Sequence, residues 1–169
     1  MDFFELVRTR RSVRAYRPDP PPEPQLEAIL EAVRLAPTAG NLQAFRVKVV
    51  TDVSVKRALA KAAFGQNFLA AAPWVLCFMA DPQGSARTYG ERGATLYAVQ
   101  DATIACHHAH LAAASLGLGS VWVGAFSPAE VAKALALPEA LVPVALLPVG
   151  YPAEAPAAPP RKPLGELLL

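Results

Sequence analysis

The 169-residue sequence carries little charge. Asp, Glu, Lys and Arg make up 18% of it, and its formal net charge is only +2, whereas soluble domains average about 25% charged residues. A nucleic-acid-binding domain normally has a strongly basic balance or face, so this composition argues against a nucleic-acid partner. The length is enough for one domain with a sizeable core and not for two. We therefore predict a single domain over residues 1–169.

Cysteine and long apolar runs are scarce as well. The two cysteines, Cys77 and Cys106, each lie inside a predicted apolar element, which indicates two buried thiols and fits a reducing compartment. No apolar run reaches the ~18 residues of a membrane span, and the N-terminus lacks the basic and then apolar pattern of a signal peptide. We expect a cytoplasmic protein with no membrane partner.

Side chains for covalent or acid–base chemistry are also few. The three histidines all lie in the stretch CHHAH, where Cys106 and His110 share one helix face. Zinc needs further ligands and the sequence has no second cluster, so we interpret His107, His108 and His110 as partly exposed helical side chains. We find no Ser/His/Asp set, no paired carboxylates and no P-loop lysine. These absences favour a cofactor that brings its own chemistry.

Apolar residues, by contrast, are abundant, at 53% of the chain. A monomer of this size buries only about 70% of its unfolded surface, so the excess predicts a subunit interface, with alanine-rich helices as the alternative. The tail after Tyr151 is rich in proline, which excludes a packed helix, and it ends in the apolar LGELLL. Such a tail is either frayed or laid extended across another surface. The apolar end favours docking of residues 152–169.

Hydrophobic periodicity predicts helices and strands in alternation. The spacing of apolar residues from Leu26 to Val33 predicts an amphipathic helix that Pro37 ends. The continuous apolar run over 74–80 predicts a buried strand, while Pro143 and Pro148 predict an edge position or bulges for the last strand. The other predicted elements are a first helix capped by Asp2 and carrying Phe3 to Val7, a strand over 45–50, a helix from Asp52 or Ser54 to about Ala63, a loop over 81–93, a helix from about Ala94 to Leu116, a strand over 120–125, a helix over 128–135 and a strand over 140–150.

Arginine is concentrated in one place. The stretch RTRRSVRAYR, residues 8–17, contains five arginines. Three roles are open for them: they are solvated, they bind nucleic acid, or they bind a small phosphorylated ligand. Beyond the first helix we expect this segment to be extended, so that Arg10, Ser12 and Arg14 point one way and Arg11 and Val13 the other. Guanidinium forks with a hydroxyl between them suit a phosphate dianion.

Four stretches of the sequence together resemble one known family. They are RRSVRAY near the N-terminus, APTAGNLQ at 36–43, VQDATIACHHAHLAAASLGLGSVWVG at 99–124 and RKPL at 161–164. In this order, over nearly the whole chain, they resemble the nitroreductase family of FMN-dependent oxidoreductases. The resemblance implies an α+β fold with a central, mostly antiparallel or mixed sheet flanked by helices. It also implies an intertwined homodimer whose C-terminal arm, here residues 152–169, lies on the partner.

The same resemblance implies a chemistry and a set of contacts. FMN would be the cofactor, NADH or NADPH the hydride donor, and a small molecule such as a nitro compound or quinone the electron acceptor. Arg10 and Ser12, with Arg161 of the arm, would bind the FMN phosphate, and Arg14 would lie toward the pyrimidine edge. The loop at 37–43 would come from the other subunit, and the backbone of 122–125 would lie against the isoalloxazine near N5 and O4. The cofactor-binding residues expected in this way are Arg10, Arg11, Ser12, Arg14, Pro37, Thr38, Ala39, Asn41, Gln43, Asn67, Trp122, Val123, Gly124, Ala125 and Arg161.

The sequence departs from the family pattern in places. Ala44 and Phe45 stand where many members have a Pro-Trp pair, and Asn67 stands where a lysine often contacts the pyrimidine. Position 124 is glycine here, whereas some larger members have an acidic residue there. The chain is also shorter than those members, and we expect it to lack their inserted helical lid. Two alternatives therefore stay open: reductive dehalogenation or flavin-consuming chemistry on the same fold, and a non-catalytic module that binds flavin or nucleic acid.

Overall fold

A four-stranded antiparallel sheet with strand order β1-β2-β4-β3 forms the centre of the protein. The structure is a computed structural model that describes residues 2–169. The strands are β1 (Phe45–Val50), β2 (Trp74–Ala80), β3 (Gly119–Ser120) and β4 (Val142–Gly150). The helices are α1 (Phe3–Thr9), α2 (Glu23–Arg34), α3 (Val53–Ala62), α4 (Phe68–Ala71), α5 (Pro82–Arg92), α6 (Ala98–Ser115) and α7 (Pro128–Leu135).

Strand β2 is buried on both faces, as its continuous apolar sequence predicts. Its odd-numbered residues Val75 and Cys77 pack with α3, α4 and α7 on one face. Its even-numbered residues Leu76 and Phe78 pack with α2 and α6 on the other. Because helices cover both faces, every residue of β2 needs an apolar side chain. The predicted α+β class with a helix-flanked antiparallel sheet is confirmed.

Helix capping explains most of the predicted helix boundaries. The side chain of Asp2 accepts a hydrogen bond from Glu5 N at the start of α1, and Asp52 accepts one from Val55 N at the start of α3. Ser127 caps α7 in the same way. These three predictions are confirmed, as are the positions of α2, β1 and β2.

The predicted loop over 81–93 is wrong, because α5 occupies most of it. Asp81 caps this helix by accepting a hydrogen bond from Gly84 N at 2.9 Å, and Pro82 occupies its first turn. Gly90 interrupts the helix with φ 56° and ψ −143°, and a π-helical turn over Gly93–Tyr97 then joins it to α6. The glycines in this stretch are typical turn signals, but only Gly90 leaves helical geometry.

The predicted strand over 120–125 is also largely wrong. Only Gly119–Ser120 pair as β3, and a single bridge joins Val123 to Leu146 of β4. Val121, Val123 and Phe126 are instead buried in the core beside α3 and α7. Core packing therefore directs this segment away from the ladder.

Strand β4 is not at an edge, since it lies between β2 and β3. The alternative explanation for its prolines, a bulge, is confirmed at Pro143, because the register between β2 and β4 shifts between Phe78 and Met79. Pro148 pairs with Val75 of β2 and lies just beyond the end of the pairing between β3 and β4. The very short β3 leaves most of the outer side of β4 without ladder partners, so the missing proline N–H groups cost little there.

The segment that follows α1 joins the sheet, and the start of the C-terminal tail joins that segment. Val13 N donates to Ser120 O at 3.0 Å, which extends the ladder by a parallel bridge between Ser12 and Ser120. The tail returns to the same segment, where Ala153 N donates to Ala15 O at 2.9 Å. After this point residues 161–169 are exposed and include only a short 3₁₀ turn, Leu164–Glu166.

Large apolar side chains are exposed at several places on the surface, among them α1 and the tail. Phe3 and Phe4 of α1 are 61% and 73% exposed, and Leu167 and Leu168 of the tail are 66% and 64% exposed. Within residues 2–169, none of the helices has the length and apolar character needed to cross a bilayer.

Candidate functional site

The arginine segment and the tail together enclose a cavity of about 220 Å³, referred to below as the arginine cavity. Helix α1 ends at Thr9, and Arg10 takes the extended backbone conformation that starts the segment. No acidic side chain occurs among the lining residues, and the positive charge is therefore not neutralised within the wall. The residues that line it are Arg10, Arg11, Ser12, Arg14, Pro156, Ala157, Pro159 and Arg161.

The backbone of this segment accounts for the clustering. Ser12 pairs with Ser120, so the chain here is extended, and Val13 points away into the core at 6% exposure. Arg10, Ser12 and Arg14 share the cavity as alternation predicts. The expectation that Arg11 points the other way is wrong, because Arg11 also lines the cavity. Its Nη1 turns back to donate to the carbonyl oxygens of Arg8 and Arg10.

The electrostatics of the cavity favour an anion. Burial lowers the pKa of the Arg10 guanidinium, and the positive charges of Arg161 and Arg11 lower that pKa further. An anion that enters the cavity would reduce the electrostatic repulsion among these arginines and would also accept charge-assisted hydrogen bonds from them. A phosphate group with two negative charges suits the positive charge and the hydrogen-bond donors of this cavity.

Arg10 has a specific partner outside the cavity wall. Its Nη1 lies 3.1 Å from Nε2 of His110, which α6 brings from 100 residues away. His110 is only 5% exposed, so the expectation that all the helical histidines are partly exposed is wrong for this one. His107 is exposed, and the Nδ1 of half-buried His108 contacts Ile104 O at 3.0 Å.

The tail is held to the segment by a carboxylate that sequence reasoning missed. Oε1 of Glu154 accepts hydrogen bonds from the backbone N–H groups of Arg14, at 2.5 Å, and Ala15, at 3.1 Å. The oxygen therefore fixes the backbone beside the cavity without projecting a negative charge among its lining residues. No sequence motif marks this contact, since the two partners lie about 140 residues apart.

The loop that contains residues 37–43 lies elsewhere on the same chain. Gly40, Asn41 and Gln43 all have positive φ, and an added Cβ on Gly40 would lie 2.4 Å from the hydroxyl oxygen of Tyr89. Ala39 N donates to Oδ1 of buried Asp101 at 2.9 Å, so α6 also supports this loop. These contacts shape a loop that ordinary sequences would not adopt.

This loop lines a second cavity of about 680 Å³. None of the arginines of the segment 8–17 lines this second cavity. Pro37, Asn41 and Gln43 contribute to its wall, while Thr38 accepts a hydrogen bond from Gln43 N at 3.1 Å. The structure of one chain thus does not bring the loop to the arginine cavity. Its expected contacts with a cofactor would require the other subunit.

The remaining predicted residues lie near the start of α4 and after β3. Asn67 precedes α4 and is exposed with no capping bond from its side chain, and Gln66 Nε2 donates to Ala125 O at 2.9 Å. Gln66, which sequence reasoning missed, therefore joins the two predicted ring-contact segments. An added Cβ on Gly124 would lie 3.2 Å from Nε1 of Trp122, so a larger residue would crowd the indole.

The sheet and its surrounding helices have the same fold as several solved oxidoreductases. The fold is that of the NADPH:FMN oxidoreductase of Vibrio harveyi, with a TM-score of 0.90 at 29% identity, over 98% of this chain and 75% of that one. NfrA2 of B. megaterium has a TM-score of 0.91 at 30% identity, over 98% and 72% of the two chains. The class is therefore the α+β oxidoreductases.

Sequence comparison then identifies the family. Residues 7–68 and 64–151 match the model of the nitroreductase family, and the chain belongs to that family as an NAD(P)H oxidoreductase. An NADH dehydrogenase of Thermus thermophilus is 37% identical over 196 aligned positions, covering 100% of this chain and 96% of that protein. An FMN reductase of Bacillus subtilis is 36% identical, covering 96% and 70%.

Proposed function

We propose that this chain is a homodimeric FMN-dependent enzyme that uses NADH or NADPH to reduce nitro compounds, quinones or similar acceptors. The arginine cavity carries the proposal. Its four guanidinium groups and one hydroxyl surround a space of about 220 Å³ without a carboxylate among the lining residues, and this donor set suits a phosphate monoester.

The proposed roles follow the position of each group. Arg10, Ser12 and Arg161 bind the phosphate, and Arg11 adds positive charge at the same cavity. Arg14, two residues further along the extended segment than Ser12, reaches toward the pyrimidine end of the flavin. Asn67 and the backbone of 122–125 lie along the ring, where Gln66 holds the two segments at a fixed separation by its bond to Ala125 O.

The site is completed by a second copy of the chain. Thr38, Ala39, Asn41 and Gln43 contact the flavin of the partner, which accounts for a structured loop that is remote from the arginine cavity of its own chain. The exposed apolar side chains of α1 and the tail supply surface for this dimer. The arm, residues 152–169, packs across the partner and remains part of the single domain.

Bound FMN supplies the hydride-accepting and hydride-donating chemistry at its N5 atom. The protein contributes orientation and charge. The arginine cluster holds one end of the cofactor, and the exposed backbone at Gly124 and Ala125 leaves its ring face open to small molecules. Because donor and acceptor use the same face in turn, the kinetics are ping-pong.

Colour and mixed dimers test this proposal. The purified protein should be yellow, and NADH or NADPH should bleach it without added acceptor, after which nitroaromatics, quinones, free flavins and oxygen are compared as oxidants in stopped flow. Combining an Arg10→Ala chain with an Asn41→Ala chain should give one intact and one doubly damaged flavin site. Two equally weakened sites would contradict the shared arrangement.

A further inference from the structure

The stretch CHHAH has no part in the proposed chemistry. One of its side chains nevertheless contacts Arg10, which lines the arginine cavity. His110 lies in α6 and is 5% exposed. Its Nε2 is 3.1 Å from Nη1 of Arg10. A buried histidine beside a half-buried arginine is an unusual pairing, because both side chains can carry positive charge.

The chemistry of the two groups fixes the protonation of the ring. An arginine can only donate hydrogen bonds, so Nε2 of His110 must present its lone pair. Burial and the charges of Arg10 and His107 together lower the pKa of His110 to about 4. The ring is therefore neutral at physiological pH and carries its proton on Nδ1. A backbone hydrogen bond at Ser120 acts in the opposite direction on the pKa, as expected for a ring N–H that donates to a carbonyl.

His110 thereby joins two parts of the arginine segment. The ring accepts from the Arg10 side chain, and the backbone of Ser120 lies near enough to the ring to raise its pKa. Ser120 O in turn accepts from Val13 N at 3.0 Å, and Ser120 pairs with Ser12. The ring is thus linked to the side chain of one proposed phosphate ligand and to the backbone beside the other.

We propose that His110 is a positioning residue for phosphate binding: its neutral ring holds the guanidinium of Arg10 in the orientation that the phosphate of the cofactor requires. Nη1 is engaged by His110, which leaves the edge formed by Nε and Nη2 free to form paired hydrogen bonds with phosphate oxygens. This inference rests on the proposed function, since the phosphate is that of FMN.

The experiment compares two ligands that differ only in the phosphate. Dissociation constants for FMN and riboflavin are measured by flavin fluorescence on the dimeric apoprotein, for the wild type and for His110→Leu and His110→Gln. His110→Leu should lower the FMN affinity about tenfold, the scale of one charge-assisted hydrogen bond, and leave riboflavin affinity unchanged. His110→Gln should recover part of the loss, because its amide oxygen can accept from Arg10.

His108→Leu is the matched control, because it makes the same chemical change on the same helix at a ring that bonds to Ile104 O instead of Arg10. Its ratio of FMN to riboflavin affinity should equal that of the wild type. An unchanged ratio in His110→Leu would overturn the inference, and where both affinities fall by the same factor the result would assign His110 a merely structural role. A wild type that binds the two ligands equally would instead overturn the proposed phosphate site.

A measurement without substitution covers the case in which the leucine variant does not fold. The ¹⁵N resonances of the imidazole in wild-type protein report the tautomer directly. At neutral pH His110 should show a protonated Nδ1 and an unprotonated Nε2, both in the apoprotein and with FMN bound. A proton on Nε2 would overturn the inference, since that atom could not then accept from Arg10.

Discussion

Gly119 is the position at which a single methyl group should disturb both the fold and the proposed site. An added Cβ would lie 2.8 Å from Cγ1 and 2.9 Å from Cβ of Val13. Val13 is buried, and its N–H donates to Ser120 O at 3.0 Å. Gly119→Ala must therefore displace Val13, and the adjoining Ser12 moves with it.

The expected cost can be set from the geometry. Over-packing of a well-packed interior typically costs about 1–3 kcal/mol. For a protein of this size each kcal/mol lowers the melting temperature by roughly 2–4 °C, so Gly119→Ala should melt roughly 2–12 °C below the wild type. FMN affinity should fall as well, because the proposed phosphate ligand Ser12 adjoins the displaced residue and Arg10 precedes it in the same extended segment.

Urea unfolding and thermal melting measure the first effect, and fluorescence titration measures the second. Val13→Ala, combined with Gly119→Ala, should cost less than the sum of the two single changes, since the smaller side chain removes the closest contact. A Gly119→Ala protein with wild-type stability, or strictly additive losses in the double variant, would refute the reasoning.

Three further predictions concern charge and the arm. With FMN saturating, Arg14→Ala should lower the flavin reduction potential by roughly 30–65 mV, because a cation near the pyrimidine favours the reduced flavin, whereas Arg10→Ala should weaken binding with little change in potential; redox titration that gives the reverse would contradict these roles. His110 has a pKa of about 4 when folded against 6.5 ordinarily, so the unfolded chain binds more protons between these values and the free energy of unfolding should fall as the pH is lowered from 6.5 toward 4. Urea titrations at several pH values should show that the free energy of unfolding falls less steeply with pH in His110→Gln than in the wild type. Equal pH dependence in the two proteins would be inconsistent with a neutral buried ring. Deleting residues 153–169 removes Arg161 and should lower FMN affinity and dimer stability together; a yellow truncated dimer that melts normally would show that the tail is dispensable.

Much of the fold follows from local patterns. The continuous apolar run of β2, the alternation in β1 and the capping residues of α1, α3 and α7 each act within a few residues, so the sequence alone predicts them. The extended arginine segment is of the same kind, because alternation along a strand brings Arg10, Ser12 and Arg14 to one cavity.

The errors arise where distant contacts override local signals. The glycine-rich stretch at 81–93 resembles a loop, but Asp81 caps a helix there and Tyr89 packs beside Gly40. The β-forming residues after Ser120 enter the core beside α3 and α7 instead of extending the ladder.

The pairing of Arg10 with His110 and the pairing of Glu154 with Arg14 are likewise outcomes of the tertiary structure alone. Their members are separated by 100 and 140 residues, so no periodicity or capping rule connects them. Sequence determined which residues carry charge and how the segment around Arg10 alternates. Only the packing of α6 and the tail against that segment decided which of those charges are buried, which are paired and which remain free to hold an anion.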